Sequence, residues 1–162
     1  MLSAQSKLIQ LLSELENYIQ QIPEEKLSQK PAPDKWSNKE ILGHLVDSAL
    51  NNLQRFTEIQ FTPRPYVIRK YAQDDLVRAN DYQHADTREI LQLLIALNTR
   101  IIRVMDQQTE EMLAYEIEIE KGQTEDLRFW NQDYVDHFEH HLRQIKKKAA
   151  PTMRQPGTLN YV

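Results

Sequence analysis

The sequence predicts an all-α fold, a four-helix bundle in which a long crossover connects the second helix to the third. Three observations support this prediction. The 162 residues include only 3 glycines, and residues of high helix propensity are abundant. Four stretches repeat apolar residues at spacings of three and four, which is typical of amphipathic helices. A stretch that contains prolines, residues 61–86, separates the second of these helices from the third.

The first helix is predicted from about residue 3 to residue 21. Its apolar positions recur at spacings of three and four: Leu8, Leu11, Leu12, Leu15, Tyr18, Ile19 and Ile22. Pro23 ends the helix, because a proline in a helix interior removes a backbone hydrogen bond and clashes with the preceding turn.

The second helix, predicted over residues 38–59, has a well-marked start. Ser37 precedes it as an N-cap, and Glu40 follows three residues later, which is the spacing of a capping box. Trp36 and Ile41 occupy the two positions of a hydrophobic staple. The chain is therefore expected to enter this helix in a fixed direction.

The connection over residues 61–86 contains proline, aspartate, asparagine and aromatic residues. Connections of this length are usually functional or crossover segments. Thr87 is the predicted N-cap of a third helix that ends near Asp106. Asn98 falls on the apolar stripe of that helix, where we expect a hydrogen bond between helices rather than a ligand contact.

A less regular stretch precedes the fourth helix. Ile117 and Ile119 alternate with glutamates, so a short strand that ends before Gly122 is compatible with the pattern. The fourth helix is predicted over residues 126–148.

The composition excludes several classes of function. Lys and Arg number 20 and Asp and Glu number 24, so the net charge of −4 disfavours nucleic-acid binding. The absence of cysteine excludes thiolate metal sites and cysteine nucleophiles, and it fits a cytoplasmic location. No run of 18 apolar residues exists, so no membrane span is expected. We expect one domain over residues 1–150 and a tail over residues 151–162.

Three histidines fit the spacing of a metal site. His137 and His141 are four residues apart on the fourth helix, so they share one face about 6 Å apart along the axis. His44 lies on the second helix. If the three neutral imidazoles converge, they leave a fourth position open, as in catalytic zinc sites. Zinc, nickel, iron and cobalt would all suit such ligands.

Other interpretations of these histidines stay open. A pair at this spacing also occurs by chance on a surface or as a hydrogen-bonded pair in a core. His140 points away from the pair, yet it is three residues from His137, so a pairing of those two remains an alternative. His84 lies in the predicted connection and is expected to be solvated.

Polar residues continue from His44 along the same side of the second helix. They are Ser48, Asn51 and Arg55, and we predict that they contact the substrate. Arg55 could instead form an ordinary salt bridge. Asp47 and Glu40 flank His44 and are the candidate catalytic carboxylates. Asp47 is equally suited to accept a hydrogen bond from a metal-binding imidazole.

Two segments resemble the DinB/YfiT-like superfamily. The first runs from Asp34 to Ser48 and contains a Trp-Ser helix start followed by Gly-His-Leu; the second runs from Asp133 to Ile145 and resembles the closing motif of the family. The resemblance covers about residues 8–147. It implies a bundle with up-down-down-up topology and a divalent metal ion held by three histidines, which correspond to His44, His137 and His141.

The superfamily includes metal-dependent hydrolases as well as S-transferases and isomerases that use low-molecular-weight thiols such as bacillithiol or mycothiol. The resemblance therefore implies a metal-dependent enzyme that acts on a small molecule. We prefer activation of a low-molecular-weight thiol for attack on an electrophile, an S-transferase reaction. The alternatives are a hydrolase that uses metal-bound hydroxide and a bundle that binds a metal ion or small ligand without turnover. A homodimer is compatible with such a bundle, although the sequence identifies no face for it.

Overall fold

A computed structural model describes residues 3–149. The predicted tail, residues 151–162, lies outside this range. In chain order the elements are α1 (Ala4–Ile19), α2 (Glu24–Leu27), α3 (Asn38–Glu58), β1 (Tyr66–Val67), α4 (Gln73–Ala79), α5 (Thr87–Asp106), α6 (Glu110–Leu113), β2 (Glu116–Glu120), β3 (Gln123–Asp126) and α7 (Leu127–Ala149).

The four long helices α1, α3, α5 and α7 form a helical bundle. α3 contacts α5 and α7, and α1 contacts the same two helices. The apolar stripes of all four helices meet in one core, to which α1 contributes Leu8 and Leu15 and α7 contributes Phe138. The four helices are those that the apolar spacing predicts, and their ends lie within two residues of the predicted ones.

The N-terminal half of α3 is enclosed on all sides. Every residue from Asn38 to Ala49 is buried, including the charged Lys39 and Glu40. The capping box is confirmed: Ser37 Oγ accepts from Glu40 N at 3.1 Å, and Ser37 N donates to Glu40 Oε2 at 2.8 Å. This half of α3 therefore holds His44 in the interior, with no solvent exposure.

The start of α5 differs from the prediction by one residue. Asp86, not Thr87, is the N-cap, and its carboxylate accepts from Arg88 N at 2.7 Å. Aspartate is among the strongest N-cap residues. The predicted role of Asn98 is confirmed, because Asn98 Oδ1 accepts from Tyr134 Oη of α7 at 2.6 Å.

A small sheet corrects the all-α prediction. β1 pairs in parallel with β2, and β2 pairs with β3 in an antiparallel hairpin whose turn contains Gly122 at φ 81°. The strand that the alternation of Ile117 and Ile119 allowed is β2. The connection between α3 and α5 is also more ordered than the sequence indicates, because it contains β1 and the seven-residue helix α4.

Within residues 3–149, no helix is long and apolar enough to cross a membrane.

Candidate metal centre

The three predicted histidines lie together between α3 and α7. The Nε2 atoms of His44 and His137 are 3.2 Å apart, and the Nε2 atoms of His137 and His141 are 3.1 Å apart. His44 is fully buried, while the other two are half-buried. Because one ring comes from α3 and two come from successive turns of α7, the packing of these helices creates the cluster.

The geometry fits one divalent ion. Zinc–nitrogen bonds of about 2.0–2.1 Å in a tetrahedral shell place the nitrogens roughly 3.3 Å from one another. The observed separations of 3.1 and 3.2 Å are close to this value. Without a cation, His137 Nε2 would have to satisfy two other ring nitrogens with a single hydrogen or a single lone pair. A metal ion removes this conflict, since each nitrogen then donates its lone pair to the ion.

The surroundings keep the imidazoles neutral. Burial, with help from the two neighbouring imidazoles, lowers the pKa of His44 to about 3. Burial is also the main cause that lowers the pKa of His137 to about 4, and the adjacent histidines contribute to this shift. Burial lowers the pKa of His141 as well. A neutral imidazole is the form that binds a metal ion.

Neighbouring side chains orient two of the rings. The Nδ1 atom of His141 is 2.9 Å from Gln144 Oε1, which leaves Nε2 free to act as the ligand. The indole ring of Trp36 packs 5.0 Å from the His44 ring, centroid to centroid. His44 Nδ1 is buried and has no hydrogen-bond partner among residues 3–149. His140 is exposed, its ring 5.1 Å from that of His141, and does not belong to the cluster that could hold the ion.

The two candidate catalytic carboxylates contact other groups. Glu40 completes the capping box and accepts from Lys30 Nζ at 2.9 Å. Asp47 Oδ1 accepts from Tyr82 Oη at 2.7 Å and from Asn80 Nδ2 at 2.9 Å. In the described part of the chain, the buried Asp47 Oδ2 has no hydrogen-bond partner, and no hydrogen bond joins Asp47 to His44. The structure therefore places both carboxylates in contacts that stabilise α3.

A cavity of about 280 Å³ opens beside the cluster. Its lining residues are Ser48, Asn52, Arg55, Ile68, Lys70, Tyr71, Gln73, Ile119, Trp130, Asp133, Tyr134 and His137. Of the predicted substrate-binding residues, Ser48 and Arg55 line it. Asn51 does not, because its side chain turns back to donate to the backbone oxygen of Asp47 at 2.8 Å.

Several residues that line this cavity are not predicted from the sequence. Asn52 takes the place expected for Asn51; steps of three and of four along α3 both preserve the face, so the spacing could not distinguish them. Trp130 lies on the apolar stripe of α7, where a core position was the simplest expectation. Tyr71 comes from the long connection, and no periodicity locates residues there.

Arg55 is held in this cavity by neutral groups. Its Cζ atom lies 5.5 Å from the ring centroid of Tyr71 and 5.5 Å from that of Trp130. Its Nη2 atom donates to the backbone oxygen of Arg69 at 2.7 Å. Burial lowers the pKa of the guanidinium, which stays charged because its ordinary pKa is so high.

The fold and the cluster together define a helical bundle with a three-imidazole site between two of its helices. The chain belongs to the DinB superfamily, whose family model matches residues 7–145. No match was found among curated proteins.

Three solved structures show the same fold. The chain is 21% identical to YfiT from Bacillus subtilis, a probable metal-dependent hydrolase with an unusual four-helix bundle topology; the TM-score is 0.80, over 90% of this chain and 83% of that one. A mycothiol-dependent maleylpyruvate isomerase is 10% identical, with a TM-score of 0.68 over 90% of this chain and 63% of that one. A DinB-like protein from Bacillus subtilis is 16% identical, with a TM-score of 0.61 over 95% and 96%.

Proposed function

We propose that the protein is a metal-dependent enzyme in which His44, His137 and His141 hold one divalent ion. We further propose that it activates a low-molecular-weight thiol for attack on an electrophile, as an S-transferase. The observation that carries the proposal is the convergence of three Nε2 atoms at the wall of a cavity that His137 also lines. Zinc, nickel, iron or cobalt would suit three nitrogen ligands.

The three histidines would leave at least one coordination position of the ion free for another molecule. Within the part of the chain that the structure describes, the group of side chains that could hold the ion contains these three histidines and no carboxylate. Three protein ligands with a free position are typical of catalytic rather than structural sites. This argues against the alternative of a bundle that binds a metal ion without turnover.

The thiol reaction is supported by the remaining wall of the cavity. A bound divalent ion supplies a Lewis acid that lowers the pKa of a thiol. The chain contains no cysteine, so the thiol has to come from a separate molecule. Arg55 offers a cation for a carboxylate of that molecule. The mycothiol-dependent isomerase is a structural neighbour that uses such a thiol.

Hydrolysis is a second candidate because of Asp133. This carboxyl lines the same cavity and lies four residues, or one helical turn, before His137. Desolvation, and the negative charge of Asp136, raise its pKa. A raised pKa favours the protonated form of the carboxyl, which is the form that a general acid requires. Asp133 would then take the role that the sequence assigned to Asp47 or Glu40.

Parallel assays distinguish the two reactions. The protein as purified, with its metal content measured, is incubated with thiol and electrophile pairs and with ester and amide substrates without thiol. Product formation that requires a thiol supports the S-transferase, whereas thiol-independent hydrolysis contradicts it. Loss of activity in His141→Ala, with His140→Ala as the matched control, assigns the reaction to the cluster.

We also propose the up-down-down-up order for α1, α3, α5 and α7. Contacts between residues of neighbouring helices support it. Lys7 of α1 binds Asp136 of α7, and Lys146 binds Glu14, so these residue numbers rise together. Between α3 and α7 the numbers run oppositely, since Asn38 Nδ2 donates to Ile145 O and Trp130 Nε1 donates to Asn52 Oδ1.

A cytoplasmic location, a homodimeric state and the absence of nucleic-acid binding remain predictions. The net charge of −4 supports the last of these. Light scattering at a series of protein concentrations tests the dimer. An apparent mass equal to that of the monomer at every concentration would contradict it.

A further inference from the structure

Arg55 is a positive charge in the wall of the cavity, and no carboxylate of the described residues pairs with it. Two aromatic rings, those of Tyr71 and Trp130, flank its guanidinium at 5.5 Å each. Within residues 3–149, no carboxylate oxygen lies within 4.0 Å of it. Lys70, which also lines the cavity, contrasts with it because its ammonium pairs with Glu120. Removing a charge from water without a partner is costly, so the site is suited to receive an anion.

The guanidinium retains donors for such an anion. Of its five N–H groups, one binds Arg69 O at 2.7 Å and one makes a long contact of 3.4 Å with Asn52 Oδ1. Asn52 Oδ1 also accepts from Trp130 Nε1 at 2.8 Å. Asn52 thus links the arginine to its aromatic wall. The remaining N–H groups suffice for the two parallel hydrogen bonds of a carboxylate.

Helix geometry separates this cation from the metal centre. Trp130, beside Arg55, and His137, in the cluster, are seven residues apart on α7, which is about 10 Å along the axis. Ser48 and Asn52 line the path between the two ends on α3. Asp133, which lies between Trp130 and His137 on α7, offers no positive charge to an anion in the middle of the cavity. The anionic end of a ligand is therefore directed to Arg55.

We propose that the cavity binds an elongated molecule with a thiol at the three-histidine cluster and a carboxylate at Arg55, about 10 Å away. The proposal rests on the proposed function, because it names the class of thiol that the same site takes. Tyr71 and Trp130 form the walls around the carboxylate end, and Asn52 is a positioning residue for both Arg55 and Trp130.

The test is a binding series with linear ω-mercaptocarboxylic acids of increasing chain length. Each acid is titrated calorimetrically into cobalt-loaded protein, and the matching ω-mercapto alcohol, which lacks the carboxylate, is titrated in parallel. The thiolate-to-cobalt absorption band reports thiol coordination separately from affinity. We expect the tightest binding for the acid whose sulfur and carboxylate lie about 10 Å apart, and about 10- to 100-fold weaker binding for its alcohol.

Variants locate the effect at one residue. Arg55→Gln should weaken the optimal acid about 10- to 100-fold and leave the alcohol unchanged, and Arg55→Lys should restore only part of the loss. Arg64→Gln is the matched control, because Arg64 also stacks on an aromatic ring, that of Tyr115 at 3.7 Å, but lies outside the cavity lining. The comparison of acids with alcohols uses the unaltered protein. It therefore tests for a carboxylate site even if Arg55→Gln fails to fold.

The series distinguishes failure of the proposed carboxylate site from failure of the proposed thiol chemistry. Equal binding of acids and alcohols, or no dependence on chain length, would overturn the carboxylate site at Arg55 even if the cobalt band appears. Binding of acids that depends on Arg55 but never produces the cobalt band would overturn the proposed thiol chemistry while supporting the carboxylate site.

Discussion

The clustering of three buried imidazoles is unfavourable unless their ring nitrogens find partners. Burial lowers the pKa of each one, and their nitrogens approach to 3.1 and 3.2 Å. Three neutral rings cannot satisfy one another through single hydrogens, whereas one cation satisfies all three. The metal-binding role that we propose for the cluster thus follows from the chemistry of single side chains.

Replacement of one ring should remove the ion without removing the fold. We expect His141→Ala to abolish stoichiometric metal, because only two of the three ligands remain. The measurement is elemental analysis of freshly purified protein, with circular dichroism to verify the helices. His140→Ala should retain metal, since His140 is exposed and outside the cluster. Full metal content in His141→Ala would show that the ligand assignment is wrong.

Acid should destabilise the metal-free protein through the same rings. The unfolded chain binds a proton to each histidine near pH 6.5, whereas folded His44 and His137 bind one only near pH 3 and 4. Stability is therefore present above pH 6.5 and is lost as pH falls through this window. The slope is about 1.4 kcal/mol per pH unit for each such histidine.

Urea unfolding at a series of pH values, in the presence of a chelator, measures this dependence. His137→Gln should have a shallower slope between pH 6.5 and 4, because one titrating ring is gone. His84→Asn, which replaces an exposed histidine outside the cluster, is measured alongside as the control. Identical slopes for His137→Gln and the unaltered protein would contradict the burial of neutral rings.

At the scale of single residues, the sequence predicts the cluster of three histidines better than it predicts the lining of the cavity. The spacing of His137 and His141 places both rings on one face of a helix without any tertiary information. His44 depends on the helix packing, and the family motif supplied it. Tyr71 and Asn52 depend on where the crossover lies and on the rotation of α3, and local patterns determine neither.

At the scale of the elements, α3 packs closely against Tyr82 at Gly43. A Cβ atom on Gly43 would lie closer than 3.0 Å to the Cβ, Cγ and Cδ2 atoms of Tyr82. Tyr82 also donates to Asp47 one turn further along α3. Gly43 therefore allows the segment between α4 and α5 to pack directly on the helix backbone, one residue before His44.

We expect Gly43→Ala to lower the free energy of unfolding by about 1–3 kcal/mol, because it overpacks this contact. The loss would occur although alanine favours a helix over glycine by about 1 kcal/mol. Chemical denaturation of Gly43→Ala, Tyr82→Ala and the double variant forms a cycle that isolates the contact. In the Tyr82→Ala background, Gly43→Ala should be neutral or stabilising. A loss of equal size in both backgrounds would place its cause elsewhere.

The elements that sequence predicts well are those with strong periodicity and marked ends. The start of α3 combines a capping box with a staple, and the structure has the capping box. α4 was missed because it spans only seven residues and its N-cap, Ala72, makes no side-chain cap hydrogen bond. The parallel pairing of β1 with β2 joins residues about fifty positions apart, a pairing that local patterns do not encode.

For the whole molecule, an ion shared by α3 and α7 should stabilise the bundle. An ion that binds the folded state at 100 times its dissociation constant contributes about 2.7 kcal/mol. For a chain of this size we expect chelation to lower the melting temperature by about 5–10 °C. Scanning calorimetry before and after verified metal removal measures the shift, and restored metal should reverse it. An unchanged melting curve would count against a preformed site.

X-ray absorption spectroscopy of the metal-loaded protein determines whether α3 and α7 bind one ion together. For zinc we expect three imidazole nitrogens at about 2.0–2.1 Å. The shell should lose one imidazole in His44→Ala as well as in His141→Ala. A shell with fewer than three imidazoles, or one that is unchanged when His44 is replaced, would contradict a metal site shared by these two helices.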